Sequence, residues 1–160
     1  MTINTRIAMK NEKDLFKNLL QFYMYDFTEF TDVDINGDGL YNIFSDFDSY
    51  WLEQKQNQPY IVRVNEAIAG FALIQEVTNE LRKYNYLAHF FIMRKYRRQG
   101  IGKEVAIQLF HSLKGEWELY QLERNEPAQK FWTKIINEYT NGNYREKFEN
   151  GRRYQTFFSK

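Results

Sequence analysis

The stretch Phe90-Phe91-Ile92-Met93-Arg94-Lys95-Tyr96-Arg97-Arg98-Gln99-Gly100-Ile101-Gly102-Lys103 joins an apolar run to an amphipathic one through a basic turn containing two glycines. Its pattern predicts a strand that ends, a turn, and a helix that opens. The first N–H groups of a helix have no internal acceptor and carry the positive end of the helix dipole, so such a junction makes an anion site. Gly100 and Gly102 would let a phosphate approach the backbone, and Arg94, Lys95, Arg97, Arg98 and Lys103 raise the local potential. The plainer reading is a β-to-α turn whose glycines permit tight packing and whose cations are solvated. The stretch is not a P-loop, which needs Gly-Lys-Ser/Thr after a longer glycine loop. Nor is it the dinucleotide fingerprint, which needs a third spaced glycine.

The chain on either side reads as alternating elements. Upstream, Ile3 to Met9 is a first strand, and Asn11 caps a helix through Leu15, Phe16, Leu19, Leu20, Phe22 and Tyr23. Thr31 to Leu40 is an Asp- and Gly-rich loop, followed by a short helix from Asp46 to Gln54. Tyr60 to Val64 and Ile68 to Val77 pair around a turn at Asn65-Glu66, and Tyr84 to Met93 is a third strand. Downstream, Ile101, Val105, Leu109 and Leu113 recur every four residues and give the helix an apolar face. A strand at Trp117 to Leu122 follows, then a helix with Pro127 near its start. Asn150-Gly151 sits between strand-like runs and predicts a closing hairpin. The expected fold is α+β, a central mixed sheet flanked by helices, in one domain over residues 1–160.

Composition narrows the function classes. The 22 Lys and Arg nearly balance the 21 Asp and Glu, which argues against a general nucleic-acid binder. The absence of cysteine excludes thiolate nucleophiles, disulfides and cysteine zinc sites, and with His89 and His111 alone a histidine metal centre is not expected. Asp32, Asp34, Asn36 and Gly37 imitate the start of a calcium loop, but the twelfth position, which should be Glu, is Ile43. No metal is expected. The first residues lack the apolar core of a signal peptide, and no run approaches a membrane span, so a cytoplasmic protein without membrane contact is the expectation.

The spacing Arg97-x-x-Gly100-x-Gly102 resembles the acetyl-CoA loop of the GNAT (GCN5-related N-acetyltransferase) family, with a preceding apolar strand, Tyr96 before the Arg, and a following helix. A second segment, Asn125-Glu126-Pro127-Ala128-Gln129-Lys130-Phe131-Trp132, resembles the family's Asn-x-x-Ala-x-x-Phe-Tyr motif. The two occur in the family's order, one helix and one strand apart, and the order of elements agrees across nearly the whole chain. The resemblance implies a GNAT-like fold, a mostly antiparallel sheet with flanking helices. It also implies acetyl transfer from acetyl-CoA to an amine by direct attack in a ternary complex. Phe91, Ile92, Met93, Arg97, Arg98, Gln99, Gly100, Ile101, Gly102 and Lys103 would then hold the cofactor, with Asn125, Ala128, Phe131 and Trp132 from the second segment. The backbone N–H of Ile92 would stabilise the oxyanion.

One position departs from the family pattern. Where a Tyr often serves as the acid for the leaving thiolate, this chain has Trp132, whose indole is no practical proton source. A thiol pKa near ~8.5 makes the thiolate a tolerable leaving group, and Trp132 reads instead as a pocket wall. His89 and Glu29 are the candidate bases, His89 because it lies on the strand of the cofactor contacts. The resemblance places the acceptor under the first two helices. There the acids and aromatics from Tyr25 to Tyr41 suit a small cationic amine. A protein or peptide acetyltransferase and a non-catalytic CoA-binding sensor are the alternatives. Family members often pair, so a homodimer through the aromatic C-terminal hairpin is an expectation by analogy.

Overall fold

The computed structural model describes residues 1–52 and 55–160. Seven strands form one sheet in the order β1-β2-β3-β4-β5-β7-β6. They are β1 (Ile3–Ile7), β2 (Asn57–Val64), β3 (Ala67–Thr78), β4 (Lys83–Ile92), β5 (Gly115–Leu122), β6 (Arg145–Glu149) and β7 (Arg152–Ser159). Every pairing is antiparallel except that of β4 with β5. The helices are α1 (Lys13–Phe27), α2 (Ser49–Leu52), α3 (Ile101–Ser112) and α4 (Glu126–Thr140). The predicted helix at Asp46–Gln54 is thus the short α2 after a run of turns, and its last two residues lie outside the described ones.

Strand alternation sends side chains to two cores. Val62, Ala72, Ile74, Leu87, Ile92, Trp117, Leu119 and Phe157 pack under α3 and α4. Ile61, Phe71, Leu73 and Phe91 pack under α1 with Phe16, Leu20, Phe47 and Tyr50. Aromatics dominate both: Phe110 meets Trp117 at 5.0 Å and Phe157 at 4.9 Å, both edge-on. The two predicted turns carry positive φ at both central residues, Asn65 and Glu66 in one, Asn150 and Gly151 in the other. That conformation matches the twist of the flanking strands.

Asn11 is not the cap of α1. It lies in a single 3₁₀ turn, and the N-cap position falls to Glu12, whose side chain makes no cap bond to α1 but accepts the Met9 N–H at 2.8 Å across that turn. The same carboxylate binds Arg6 of β1 at 2.9 Å and Arg63 of β2 at 3.1 Å. One buried acid therefore ties two strands to the start of α1. The loop after α1 is knitted by Asn36, whose Oδ1 accepts the N–H groups of Asp38 and Leu40. Gln21 of α1 then anchors the following segment, exchanging two hydrogen bonds with the backbone of Tyr41 at 2.9 and 2.8 Å. Asp32, Asp34 and Asp38 are exposed on this loop, and no cluster of potential metal ligands exists among the described residues.

Candidate active site

The sheet is open at its centre. β4 and β5 pair only at Asn85 with Trp117 and Tyr86 with Glu118, although β4 runs on to Ile92 and β5 to Leu122. β4 also carries a bulge: Leu73 faces His89 and Ile74 faces Leu87, so Ala88 is the extra residue. A bulge bends its strand and ends regular pairing, here at the mouth of the fork.

The hydrogen-bond phase of β4 beyond the bulge follows from one contact. Met93 N–H donates to Ala69 O at 2.8 Å, which makes that pair a hydrogen-bonded one. In an antiparallel ladder such pairs alternate with non-bonded ones. Phe91 therefore bonds β3, whereas the N–H groups of Phe90 and Ile92 turn away from β3 into the fork. The sequence reading named Ile92 as a backbone donor. The register adds Phe90 beside it, a residue no local motif marks, because its role depends on where the bulge falls.

The loop continues this row of donors. After Ile92 the chain makes a 3₁₀ turn at Arg94–Tyr96, passes Arg98 at φ 61° and Gly100 at φ 79°, and enters α3. No N–H from Arg98 to Lys103 meets an acceptor among the described residues. The two glycines serve different ends. Gly100 supplies the left-handed conformation and has open space where a side chain would be. At Gly102 a Cβ would lie 2.9 Å from the Phe131 ring, so its bareness seats α4 against α3 rather than leaving room for a ligand.

The cations of the loop divide likewise. Arg97 donates Nε–H to Ile92 O at 2.7 Å and pairs with Asp26 of α1 at 2.7 Å, and Arg94 reaches the same carboxylate at 3.0 Å. Arg97 is thus the brace that holds the loop to the end of α1. Lys103 pairs with Glu138 of α4 at 2.6 Å. Gln99 folds back on the Lys95 carbonyl at 2.9 Å, and Arg98 is exposed with no ion-pair partner among the described residues. Lys95, whose Nζ lies 5.4 Å from the Tyr96 ring centroid, has no ion-pair partner among the described residues either, so Lys95 and Arg98 keep free charge, and Arg98 lies within the run of unpartnered N–H groups.

On the far wall of the fork, Asn125 caps α4, accepting the Ala128 N–H at 3.2 Å, while its Nδ2 has no acceptor among the described residues. Phe90, Phe131 and Trp132 form an aromatic corner, Phe90 to Trp132 at 4.9 Å and Phe131 to Trp132 at 4.9 Å. Trp132 is 6% exposed and belongs to the core under α4.

His89 projects from β4 to the opposite face, under α1. Its Nδ1 lies 2.9 Å from the Tyr23 hydroxyl, and its ring stacks on Phe44 at 4.5 Å. Burial pushes the imidazole down to about 4, against a weaker upward pull from Asp46, so it is neutral at pH 7. Burial, and next the nearby Tyr120, push the Tyr23 phenol up. Glu29 is exposed just beyond α1, away from this pair's hydrogen bonds. Neither Tyr23 nor Phe44 could be linked to His89 from spacing, because α1 and the loop after it reach β4 only through the tertiary fold.

A split sheet, a bulged strand with outward N–H groups and a helix start with free donors define an α+β protein whose centre is open and lined by backbone donors. The Acetyltransferase (GNAT) family model matches residues 19–136, and the chain belongs to that family. No curated protein matches it in sequence. Among solved structures, the PaiA N-acetyltransferase from Thermoplasma acidophilum in complex with coenzyme A is 12% identical, with a TM-score of 0.67 over 99% of both chains. The YncA putative acetyltransferase from Salmonella typhimurium with acetyl-CoA is 10% identical, with a TM-score of 0.66 over 100% of this chain and 95% of that one. A GNAT-family acetyltransferase from Staphylococcus aureus Mu50 is 16% identical, with a TM-score of 0.65 over 99% and 100%. At these identities the likeness is one of fold, and it bears out the expected GNAT-like sheet with flanking helices. No helix among the described residues is long and apolar enough to cross a membrane.

Proposed function

We propose that the chain is an N-acetyltransferase that uses acetyl-CoA and passes the acetyl group directly to an amine held in the fork. The observation that carries this reading is two groups of free backbone donors in one segment, Phe90 and Ile92 on β4 and Arg98 to Lys103 at the start of α3. It fits a ligand with amides at one end and a pyrophosphate at the other. Two related structures hold such ligands, coenzyme A in one and acetyl-CoA in the other.

Acetyl-CoA supplies a thioester whose carbonyl is open to an amine. The chain's part is to bind, align and polarise. The N–H groups from Arg98 to Lys103, with Arg98, hold the pyrophosphate. Phe90 and Ile92 donate to the pantetheine arm and to the carbonyl oxygen, where charge develops as the C–N bond forms and the C–S bond breaks. Asn125 Nδ2 and the small Ala128 border the arm, and the corner of Phe90, Phe131 and Trp132 keeps water from the thioester. Holding both reactants in one cleft makes the step effectively unimolecular. On the α1 face, neutral His89 can accept the amine's proton once the C–N bond has formed and that proton has become acidic; burial makes it too weak a base to deprotonate the free ammonium, and it passes the proton on readily. This geometry favours His89 over Glu29.

Calorimetric titration with acetyl-CoA, CoA and ATP, followed by an amine panel, tests the reading. Binding of both CoA species but not ATP, and amine-dependent release of CoA, are expected. Binding without turnover on any amine would leave a CoA-binding sensor. No binding at all would make the loop a plain turn and end the enzyme reading.

A further inference from the structure

The two faces of the fork are unlike. Under α3 and α4 it is apolar. On the α1 side, the apolar core of the described residues includes none from β5, β6 or β7, so its cover stops at β4 and the outer half of the sheet is only partly shielded there. Alternation along β5 turns Trp117 and Leu119 to the covered face, and Glu116, Glu118 and Tyr120 to the partly shielded one.

Three tyrosines converge on that face at the fork. Tyr86 is the last β4 residue paired with β5. Its ring stacks on Tyr120 at 6.3 Å, and Tyr120 stands opposite Tyr154 of β7 with ring centroids 5.3 Å apart. Tyr120 lies two residues past the last β4–β5 pair, level with the bulge that carries His89. The Arg152 guanidinium sits 4.6 Å from the Tyr120 ring centroid. It is exposed, and it has no carboxylate partner among the described residues. Burial, and next Tyr120, push the Tyr86 phenol up, so its hydroxyl stays protonated at neutral pH. Of the acids on this face, Glu116 and Glu118 are taken by Arg82 at 2.7 and 3.1 Å, and Glu149, opposite Arg152 in the hairpin, is taken by Lys147. Lys147, 5.1 Å from the Tyr154 ring centroid, is paired with Glu149 at 3.3 Å.

A guanidinium without a carboxylate partner among the described residues, set beside phenolic hydroxyls, with the local carboxylates neutralised, is a site for an anion. Its place follows from strand spacing. Arg152 stands on β7 opposite Leu122 of β5, two strands from β4; two paired-strand spacings make about 10 Å, and the parting of β4 from β5 past Tyr86 widens that gap toward the β4 backbone where the acetyl group would be attacked. We infer that the acceptor is a small amine that also carries a carboxylate or phosphate, which Arg152 and the hydroxyls of Tyr86, Tyr120 and Tyr154 bind. The inference rests on the acetyl-transfer reading for the amine, and on the partly shielded sheet face for the anion. Tyrosine rings can also hold a cation, but here Arg152 already lies over Tyr120.

The test compares matched amines: 4-aminobutyrate with butylamine, phosphoethanolamine with ethanolamine, and putrescine as a dication. The first two pairs separate carboxylate from phosphate. At least one anion-bearing amine should exceed its partner in kcat/KM by about tenfold or more, chiefly through KM, the size expected of a charge-assisted contact. Arg152→Gln should bring that ratio near one, and Arg152→Lys should keep part of it. Arg145→Gln, the same charge removed from the far end of the hairpin, should leave the ratio standing. Preference for butylamine, ethanolamine or putrescine overturns the inference, as does a ratio that survives Arg152→Gln. Calorimetric titration of 4-aminobutyrate and phosphoethanolamine separates the two readings. Arg152-dependent binding without turnover on any amine upholds the anion site and removes the transferase. Neither binding nor turnover of either anion-bearing amine overturns the inference.

Discussion

The loop from Met93 to Lys103 continues β4 and the α1-side face of the fork flanks that strand, yet they are built from different material. The loop offers backbone N–H groups from a single continuous segment. The α1-side face presents side chains from four separate elements: Tyr23 of α1, His89 and Tyr86 of β4, Tyr120 of β5, and Arg152 and Tyr154 of β7. A backbone site demands particular residues at fixed offsets, because only certain residues permit the conformation. A side-chain site demands particular residues in space and leaves no local spacing behind. The difference makes one region robust to changes in side chains and sensitive to changes in conformation, and the other the reverse.

The sharpest way to break this contrast is Gly100. Gly100→Ala adds left-handed strain of about 1–2 kcal/mol but no charge, and the space around the new Cβ is open. Gly100→Glu adds the same strain and puts a carboxylate where a pyrophosphate should lie. We expect Gly100→Glu to weaken acetyl-CoA binding by at least about a hundredfold, roughly 3 kcal/mol, while Gly100→Ala loses little beyond the strain. Equal losses in calorimetry would mean that conformation, not access to the backbone, is what the position supplies.

These materials also explain what the sequence could reveal. Both family motifs, the element order and the turns at Asn65-Glu66 and Asn150-Gly151 are local, and each was readable. The roles of individual loop residues were not. Arg97 matches the motif, yet its guanidinium is spent on Asp26, more than seventy positions away in sequence, and on Ile92 O. Gly102 matches too, yet it faces the Phe131 ring. Phe90 became a donor only once the bulge at Ala88 fixed the ladder's phase. Asn11 looked like a cap, but Glu12, held by two strand arginines, won the position.

Glu12 tests whether damage to the frame stays separate from damage to either region. Hydrogen bonding to Arg6, opposed by burial and aided by Met9 N–H and Arg63, lowers its pKa from 4.5 to about 2. A carboxylate lowered on folding stabilises the fold fully above its unfolded pKa, so the stability is present above pH 4.5 and lost as pH falls toward 2. Glu12→Gln should cost about 2 kcal/mol at pH 7, leaving Arg63 short of a partner, and should flatten the acid limb of the melting profile. Acetyl-CoA affinity of the folded protein should be unchanged. A large loss of affinity would show that the β1–β2 corner is coupled to the fork.

A smaller effect is expected at Gly102. An added methyl would press the Phe131 ring at 2.9 Å, and overpacking of this kind costs about 1–2 kcal/mol when the ring can turn aside. Gly102→Ala should therefore lower the melting temperature. It should weaken acetyl-CoA binding only through displacement of α4. The double variant Gly102→Ala with Phe131→Leu should recover stability, which a ligand contact at Gly102 would not allow.

The smallest change, Tyr23→Phe, reads the side-chain region directly. It removes one hydroxyl from His89 Nδ1 and leaves the ring that packs on Phe71 and Phe91. The stability loss should be about 1 kcal/mol, with acetyl-CoA affinity unchanged and amine transfer slowed several-fold. The pH dependence gives the sign. His89 is lowered from 6.5 to about 4, so its contribution to stability is complete above pH 6.5 and is lost as pH falls from there toward 4. This loss comes before that of Glu12. If the tyrosine donates to Nδ1, it favours the neutral imidazole, and Tyr23→Phe should raise the His89 midpoint seen by NMR. If the imidazole donates instead, the midpoint should not rise, Nε2 becomes the acceptor facing the amine, and His89 is set up as the base even without Tyr23. Either result assigns the tautomer, which decides which nitrogen of His89 can receive the proton.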